Sequence, residues 1–262
     1  MSRILSSGLG VAAGALAVYE RRGRSRAERL SAATLETLLN TIDANDAQTG
    51  AHVRRVATYA QILAAAAGFD EHTQSSIERV ALFHDIGKLH EALSDIFHEH
   101  TKLTPEERQA VRTHPERGAE VLAPIVAFFP DLGKGVAAHH ERWNGTGYPQ
   151  QLKGKRIPLA ARVVAIADSF DAITHRRRYS AARSLNEAVE AIAEGRGTQF
   201  DPELADLFLS PPVIADIAKA MREAHSPKRK KSGNRRGGES HPAPDIKFRW
   251  RIKKKKQRAR DR

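Results

Sequence analysis

Ile77-Glu78-Arg79-Val80-Ala81-Leu82-Phe83-His84-Asp85-Ile86-Gly87-Lys88 is the stretch on which the reading of this chain turns. Ile77, Val80, Ala81 and Leu82 recur at helical spacing, and Gly87 closes the run. The helix delivers an imidazole and a carboxylate, His84 and Asp85, side by side at its end. Two such donors on a rigid element can reach one divalent ion, such as manganese, iron or zinc. An adjacent His and Asp occur often by chance, so the pair carries weight only if the rest of the chain supplies partners.

Reading outward from this stretch, the neighbouring segments are helical too. Leu30, Leu35, Leu38, Leu39 and Ile42 form one apolar stripe, and Val53, Val56, Ala60 and Leu63 another, with Gly68 as a C-terminal cap. Thr104-Pro105-Glu106-Glu107 is a helix start with a capping box. Ile157-Pro158 opens a long apolar helix to Ile173, Ser184 caps another, and Asp201-Pro202 begins one more. No alternating strand pattern and no internal repeat interrupts them. The expectation is an all-α fold, one helical domain over residues 26–224.

Candidate partners for His84 and Asp85 lie along this domain. His52 stands near a helix start, His114 ends a helix before Pro115, and His139-His140 form a tandem pair before Glu141. Taken singly, each is as well explained as a cap or a surface residue. Asp168 sits inside the apolar run Val163 to Ile173, where a carboxylate is costly unless paired or bound to metal. Neighbouring helical positions diverge by about 100°, so His139 and His140 are placed to serve two ions, or one ion and a substrate. The chain has no cysteine, so any metal here is held by His, Asp and Glu, and no thiol is the nucleophile. Five histidines and two aspartates suit a pair of metals with positions left open for water.

Taken in order, these residues resemble the HD-GYP subgroup of the HD phosphohydrolase superfamily. The resemblance runs from about Asp46 to Leu209. It includes Thr49-Gly50-x-His52-x-x-Arg55-Val56, His84-Asp85-Ile86-Gly87-Lys88, and Leu103-Thr104 leading to His114-Pro115 and Gly118. It continues through His139-His140-Glu141-Arg142, Asn144-Gly145-x-Gly147-Tyr148-Pro149, Ala167-Asp168-x-x-Asp171-Ala172 and Gln199-Phe200-Asp201-Pro202. The resemblance implies an α-helical fold with a centre of two or three divalent ions, iron or manganese, and hydrolysis by metal-activated water of a phosphodiester in cyclic di-GMP to pGpG or GMP. It implies His52, His84, Asp85, His114, His139, His140 and Asp168 as metal ligands, with Asp85 bridging. Lys88 and Arg177 are implied as phosphate-facing cations, and Gly147-Tyr148-Pro149 as a loop for substrate or a protein partner. Such ions lower the pKa of water and stabilise charge growing on the phosphoryl oxygens. Nothing resembles a phosphate-cradling glycine loop opening a helix, so an NTPase has no support.

The chain departs from that pattern in three places. Members with three metals carry a Glu four residues before the first ligand histidine; here Gln48 stands there, which predicts two ions. Leu89 to Lys102 replaces a shorter run and adds His90, His98 and His100, either as an exposed polar loop or as a substrate-selecting element. Arg177-Arg178-Tyr179 stands for Arg-Pro-Tyr. Another cyclic dinucleotide or nucleotide as substrate, or a slow signalling module that acts by protein binding, are the competing functions.

The ends differ from the middle. The chain has 262 residues and a net charge of +12, but residues 225–262 carry 16 basic and 3 acidic residues, while residues 1–224 carry 27 and 28. A basic surface over the whole domain is thereby excluded. The 225–262 segment reads as a disordered basic tail. Within it, Ile246, Phe248, Trp250 and Ile252 alternate with Lys247, Arg249, Arg251 and Lys253, a pattern suited to RNA or anionic lipid as well as to a plain solvated tail. Residues 1–25 form an apolar segment with a basic flank. Its uncharged part, Ile4 to Tyr19, is 16 residues long, short of the roughly 20 that span a bilayer. It reads as a soluble helix, a weak membrane anchor or a signal, with the rest of the chain cytoplasmic.

Overall fold

Helix caps written in the sequence set most of the element boundaries. The computed structural model describes Arg26 and residues 30–89, 104–175 and 182–225. Helix α1 covers 30–45. Asp46 accepts a bond from Gln48 N and starts α2, Ala47–Ala66; Asp70 does the same for Thr73 N and starts α3, Glu71–Phe83. A 3₁₀ turn, Ile86–Leu89, follows. Then come α4, Pro105–Val111, with the expected Thr104–Glu107 capping box, α5, His114–Leu122, and α6, Pro130–Ala137. The long apolar helix is α7, Leu159–Thr174. Ser184 and Glu187 form a second capping box on α8, Leu185–Glu194. Asp201 caps α9, Pro202–Phe208, and α10 is Pro211–His225. The described residues contain no strand beyond a single bridge between Arg196 and Phe200. The fold is all-α.

Helices α2, α3 and α7 pack on one another and form the centre. Val53, Val56, Ala60 and Leu63 of α2, Ile77, Val80 and Ala81 of α3, and Val163, Val164 and Ala167 of α7 are all fully buried. Tyr59, Phe170 and Phe208 form an edge-to-face aromatic chain with centroids 5.2 and 5.4 Å apart. Helix α5 packs on α6 and on the 3₁₀ turn that follows Asp85.

Three local expectations are corrected. His114 opens α5 rather than ending α4, which stops at Val111. Pro115 lies in the first turn of α5, where its missing N–H has no partner to lose. His139 and His140 lie in the turn after α6, so the helical 100° divergence does not apply to them. Leu30 is 69% exposed, off the stripe that buries Leu35, Leu39 and Ile42.

Residues 1–25, residues 90–103, the Arg177-Arg178-Tyr179 segment and the residues from Ser226 onward lie outside the described residues. No described helix is long and apolar enough to cross a membrane.

Candidate metal centre

The seven residues expected as ligands come from five different places in the chain and meet at one point. His52 comes from α2, His84 and Asp85 from the end of α3, and His114 from the start of α5. His139 and His140 come from the turn after α6, and Asp168 from the middle of α7. They fall into two groups. His52, His84 and Asp85 present ligand atoms within 4.8 Å of one another, and so do His114, His139 and His140.

Asp85 lies between the groups. Its Oδ2 is 3.8 Å from His52 Nε2 and 3.5 Å from His84 Nε2, while its Oδ1 is 3.4 Å from His114 Nε2 and 4.0 Å from His139 Nε2. Asp168 Oδ1 joins the first group, 3.3 Å from His52 Nε2 and 4.0 Å from His84 Nε2. His140 completes the second, with ring centroids 4.1 Å from His139 and 5.0 Å from His114.

The tautomers follow from the other ring nitrogens. Nδ1 of His84, His114 and His139 lies 2.8, 2.7 and 2.6 Å from the carbonyl oxygens of Ala81, Val111 and Val136. A carbonyl only accepts, so each Nδ1 carries the proton and each Nε2 a lone pair. The lone pairs point inward at each other and at a carboxylate; His114 Nε2 and His139 Nε2 are 3.1 Å apart. His52 Nε2, His84 Nε2 and Asp85 Oδ1 are buried without a hydrogen-bond partner. Buried acceptors facing acceptors are unfavourable unless a cation sits among them. This donor set of neutral imidazoles and carboxylates fits divalent transition ions.

Burial and neighbouring charges set the protonation of these groups. Burial, and then the neighbouring His140, hold His139 well below the usual imidazole range; burial, then His114, push His140 down to about 3. His84 is lowered, by burial above all. Burial opposes ionisation of Asp85, but Lys88 and the histidines outweigh it and hold the carboxyl well below its usual range. His52 moves the other way: burial would lower it, and the carboxylates of Asp168 and Asp171 raise it.

Lys88 Nζ lies 2.6 Å from Asp85 Oδ2, at the edge of the centre. A cavity of about 300 Å³ opens beside it, lined by His139, His140, Asp168, Arg112, Arg142 and Tyr148 among others. The Gly147-Tyr148-Pro149 loop forms one wall. Tyr148 stacks on His140 at 4.9 Å and 24°, and the Arg112 guanidinium lies 4.6 Å from its ring centre. Buried Glu141 holds the loop by accepting from Gln150 N and Leu152 N at 2.7 and 3.0 Å. Any side chain at Gly147 would begin 2.3 Å from Arg142 N. Trp143 N and Asn144 N donate to the carbonyls of Gln199 and Thr198, which ties the Gln199-Phe200 segment to the same loop.

Arg55, Glu141 and Asp171 stand in the sequence motifs but were given no role there, and Arg112 stands in none of them. Asp171 is an acid buried in the same apolar run as Asp168, so the argument made for Asp168 pointed to it as well. Arg112 gave no local signal. Arg177 is outside the described residues.

A family model described as an HD domain matches residues 36–204. The chain is 37% identical over 174 residues to "3′3′-cGAMP-specific phosphodiesterase 2" of Vibrio cholerae, covering 66% of this chain and 33% of that protein. It is 37% identical over 178 residues to "Cyclic di-GMP phosphodiesterase response regulator RpfG" of Xanthomonas campestris, covering 67% of this chain and 47% of that protein. Less than half the length of these two relatives is thus spanned. The crystal structure of the V. cholerae cyclic GMP-AMP phosphodiesterase V-cGAP3 superposes with a TM-score of 0.54 at 19% identity, over 73% of this chain and 52% of that one.

Proposed function

The chain belongs to the HD domain family, and from that premise we propose that it is a metal-dependent phosphodiesterase hydrolysing cyclic di-GMP to pGpG. One observation carries the reading. Asp85 turns one carboxylate oxygen to each of two histidine groups, and His52 Nε2, His84 Nε2 and its own Oδ1 are buried there without a hydrogen-bond partner. His52, His84, Asp85 and Asp168 would hold one ion; His114, His139, His140 and Asp85 the other. Two ions fit this set, with the neutral, exposed Gln48 where a third would need an acid. Iron and manganese suit the imidazole-carboxylate mixture. Bound there, such ions acidify a water and offset negative charge on the phosphodiester.

The chain's own residues do the rest. The carbonyls of Ala81, Val111 and Val136 hold three imidazoles in register, so the centre needs little reorganisation when substrate arrives. Lys88 Nζ, paired with Asp85 Oδ2 at the edge of the centre, is placed to meet a non-bridging phosphoryl oxygen. Arg112 and Arg142 supply further positive charge along the cavity. In the net reaction water adds its oxygen to phosphorus, the 3′ oxygen leaves with a proton, and a linear dinucleotide with a 5′ phosphate results.

A second substrate is favoured by one specific observation: a relative of equal identity carries the name of a 3′3′-cGAMP phosphodiesterase. The test is a panel of cyclic di-GMP, 3′3′-cGAMP and cyclic di-AMP, with linear products resolved by chromatography in Mn²⁺ and Fe²⁺. The highest kcat/KM is expected on cyclic di-GMP. A clear preference for 3′3′-cGAMP moves the chain to the second reading, and no product from any of the three overturns the proposal.

A further inference from the structure

His52 is held differently from the other ligands whose second nitrogen is accounted for. His84 is the C-terminal cap of α3, Val111 is the last residue of α4, and Val136 lies in the last turn of α6. Helix C-termini leave carbonyls without intrahelical donors, and those carbonyls receive the Nδ1 protons of His84, His114 and His139. His52 lies inside α2, where the backbone carbonyls are used by the helix itself. Its Nδ1 instead lies 2.6 Å from Oδ2 of Asp171 on α7.

Asp171 is 1% exposed and surrounded by donors. Arg55 reaches its Oδ1 through Nε at 2.7 Å and its Oδ2 through Nη2 at 3.0 Å, and His175 Nδ1 is 3.0 Å from Oδ1. The two packed helices repeat one offset: Arg55 follows His52 by three residues on α2, and Asp171 follows Asp168 by three on α7. Each helix thus gives a ligand and, one turn on, a member of a brace. A carboxylate on the far side of an imidazole fixes its tautomer and strengthens it as a ligand, and losing it typically weakens metal binding about 10- to 100-fold.

Building on the metal centre proposed above, we propose that Asp171, clamped by Arg55, is a positioning residue for His52 and selectively sets the affinity of the ion that His52 would hold. The other ion position is braced by backbone carbonyls that no substitution removes. The two positions therefore respond differently to one side-chain change.

The test is calorimetric titration of chelator-stripped protein with Mn²⁺, alongside thermal melts. Wild type is expected to take up two ions. Asp171→Asn should weaken one of them about 10- to 100-fold and leave the other within about twofold. Arg55→Gln, which removes two donors without touching His52, should weaken the same ion in the same direction, and serves if Asp171→Asn does not fold. Asp201→Asn is the matched control: Asp201 is a buried carboxylate paired at 2.6 Å with Arg162, also on α7. It should lower Tm while leaving both affinities unchanged. Unchanged affinities in Asp171→Asn, or equal weakening of both ions in Asp171→Asn and Asp201→Asn alike, would overturn the brace while leaving the metal centre standing. A wild type that takes up no Mn²⁺ overturns both.

Discussion

Asp85 illustrates how much of the centre was legible residue by residue. Its type, its neighbour His84 and the glycine two residues on mark it in the sequence, and all seven expected ligands converge on it or beside it. The supporting atoms were not legible. The carbonyls of Ala81, Val111 and Val136 are backbone groups with no sequence signature, and the His52–Asp171 bond joins residues 119 apart. The buried imidazoles also set a pH response. His84, His139 and His140 are lowered in the folded chain, His140 from 6.5 to about 3. As pH falls below 6.5 the unfolded chain takes up protons there that the folded chain refuses, so their stabilisation is lost between 6.5 and about 3. His52, raised, contributes in the opposite sense, but it is one against three. Metal-free protein should therefore melt at progressively lower temperature from about pH 7 to about pH 5, and His140→Gln should shallow that slope. A flat or rising Tm over that range contradicts the assignment of neutral imidazoles.

Among the elements, the caps were readable and the helix junctions were not. Thr104, Ser184 and Asp201 start helices as expected because a cap is a local hydrogen-bond pattern. Whether His114 ends one helix or starts the next depends on how α5 packs against the turn after Asp85, which no short window contains. That junction is tight: a Cβ on Gly87 would lie 2.0 Å from His114 O and 2.7 Å from Gly118 N. The glycine read from sequence as a helix terminator is also what lets the Asp85 turn approach α5. Gly87→Ala should cost about 1–3 kcal/mol through overpacking and push Asp85 away from His114. Denaturant melts together with Mn²⁺ uptake check this. A variant with wild-type stability and full metal uptake would show that the close approach does not hold the two groups together.

At the scale of the whole molecule, the charge count separates chemistry from composition. Residues 30–224 carry 21 basic and 26 acidic residues, so a phosphate ester meets a domain without general positive charge. Under the proposed function, attraction would have to be local, from ions held at the centre, Lys88 and the arginines of the cavity. The net +13 of residues 225–262 is then a separate feature of the sequence, and an anionic partner such as RNA or lipid for it is an expectation to be tested. Removing residues 226–262 should leave turnover within about twofold while lowering the salt dependence of nucleic-acid or vesicle binding. Equal binding by both forms would refute a role for the tail. The central claim, that Asp85 joins two histidine groups into a hydrolytic metal centre, is tested most directly by following cyclic di-GMP with Mn²⁺-loaded wild type and Asp85→Ala side by side. The account predicts steady formation of pGpG by the wild type and none above background by Asp85→Ala. Equal product from the two proteins, or none from either, would contradict it.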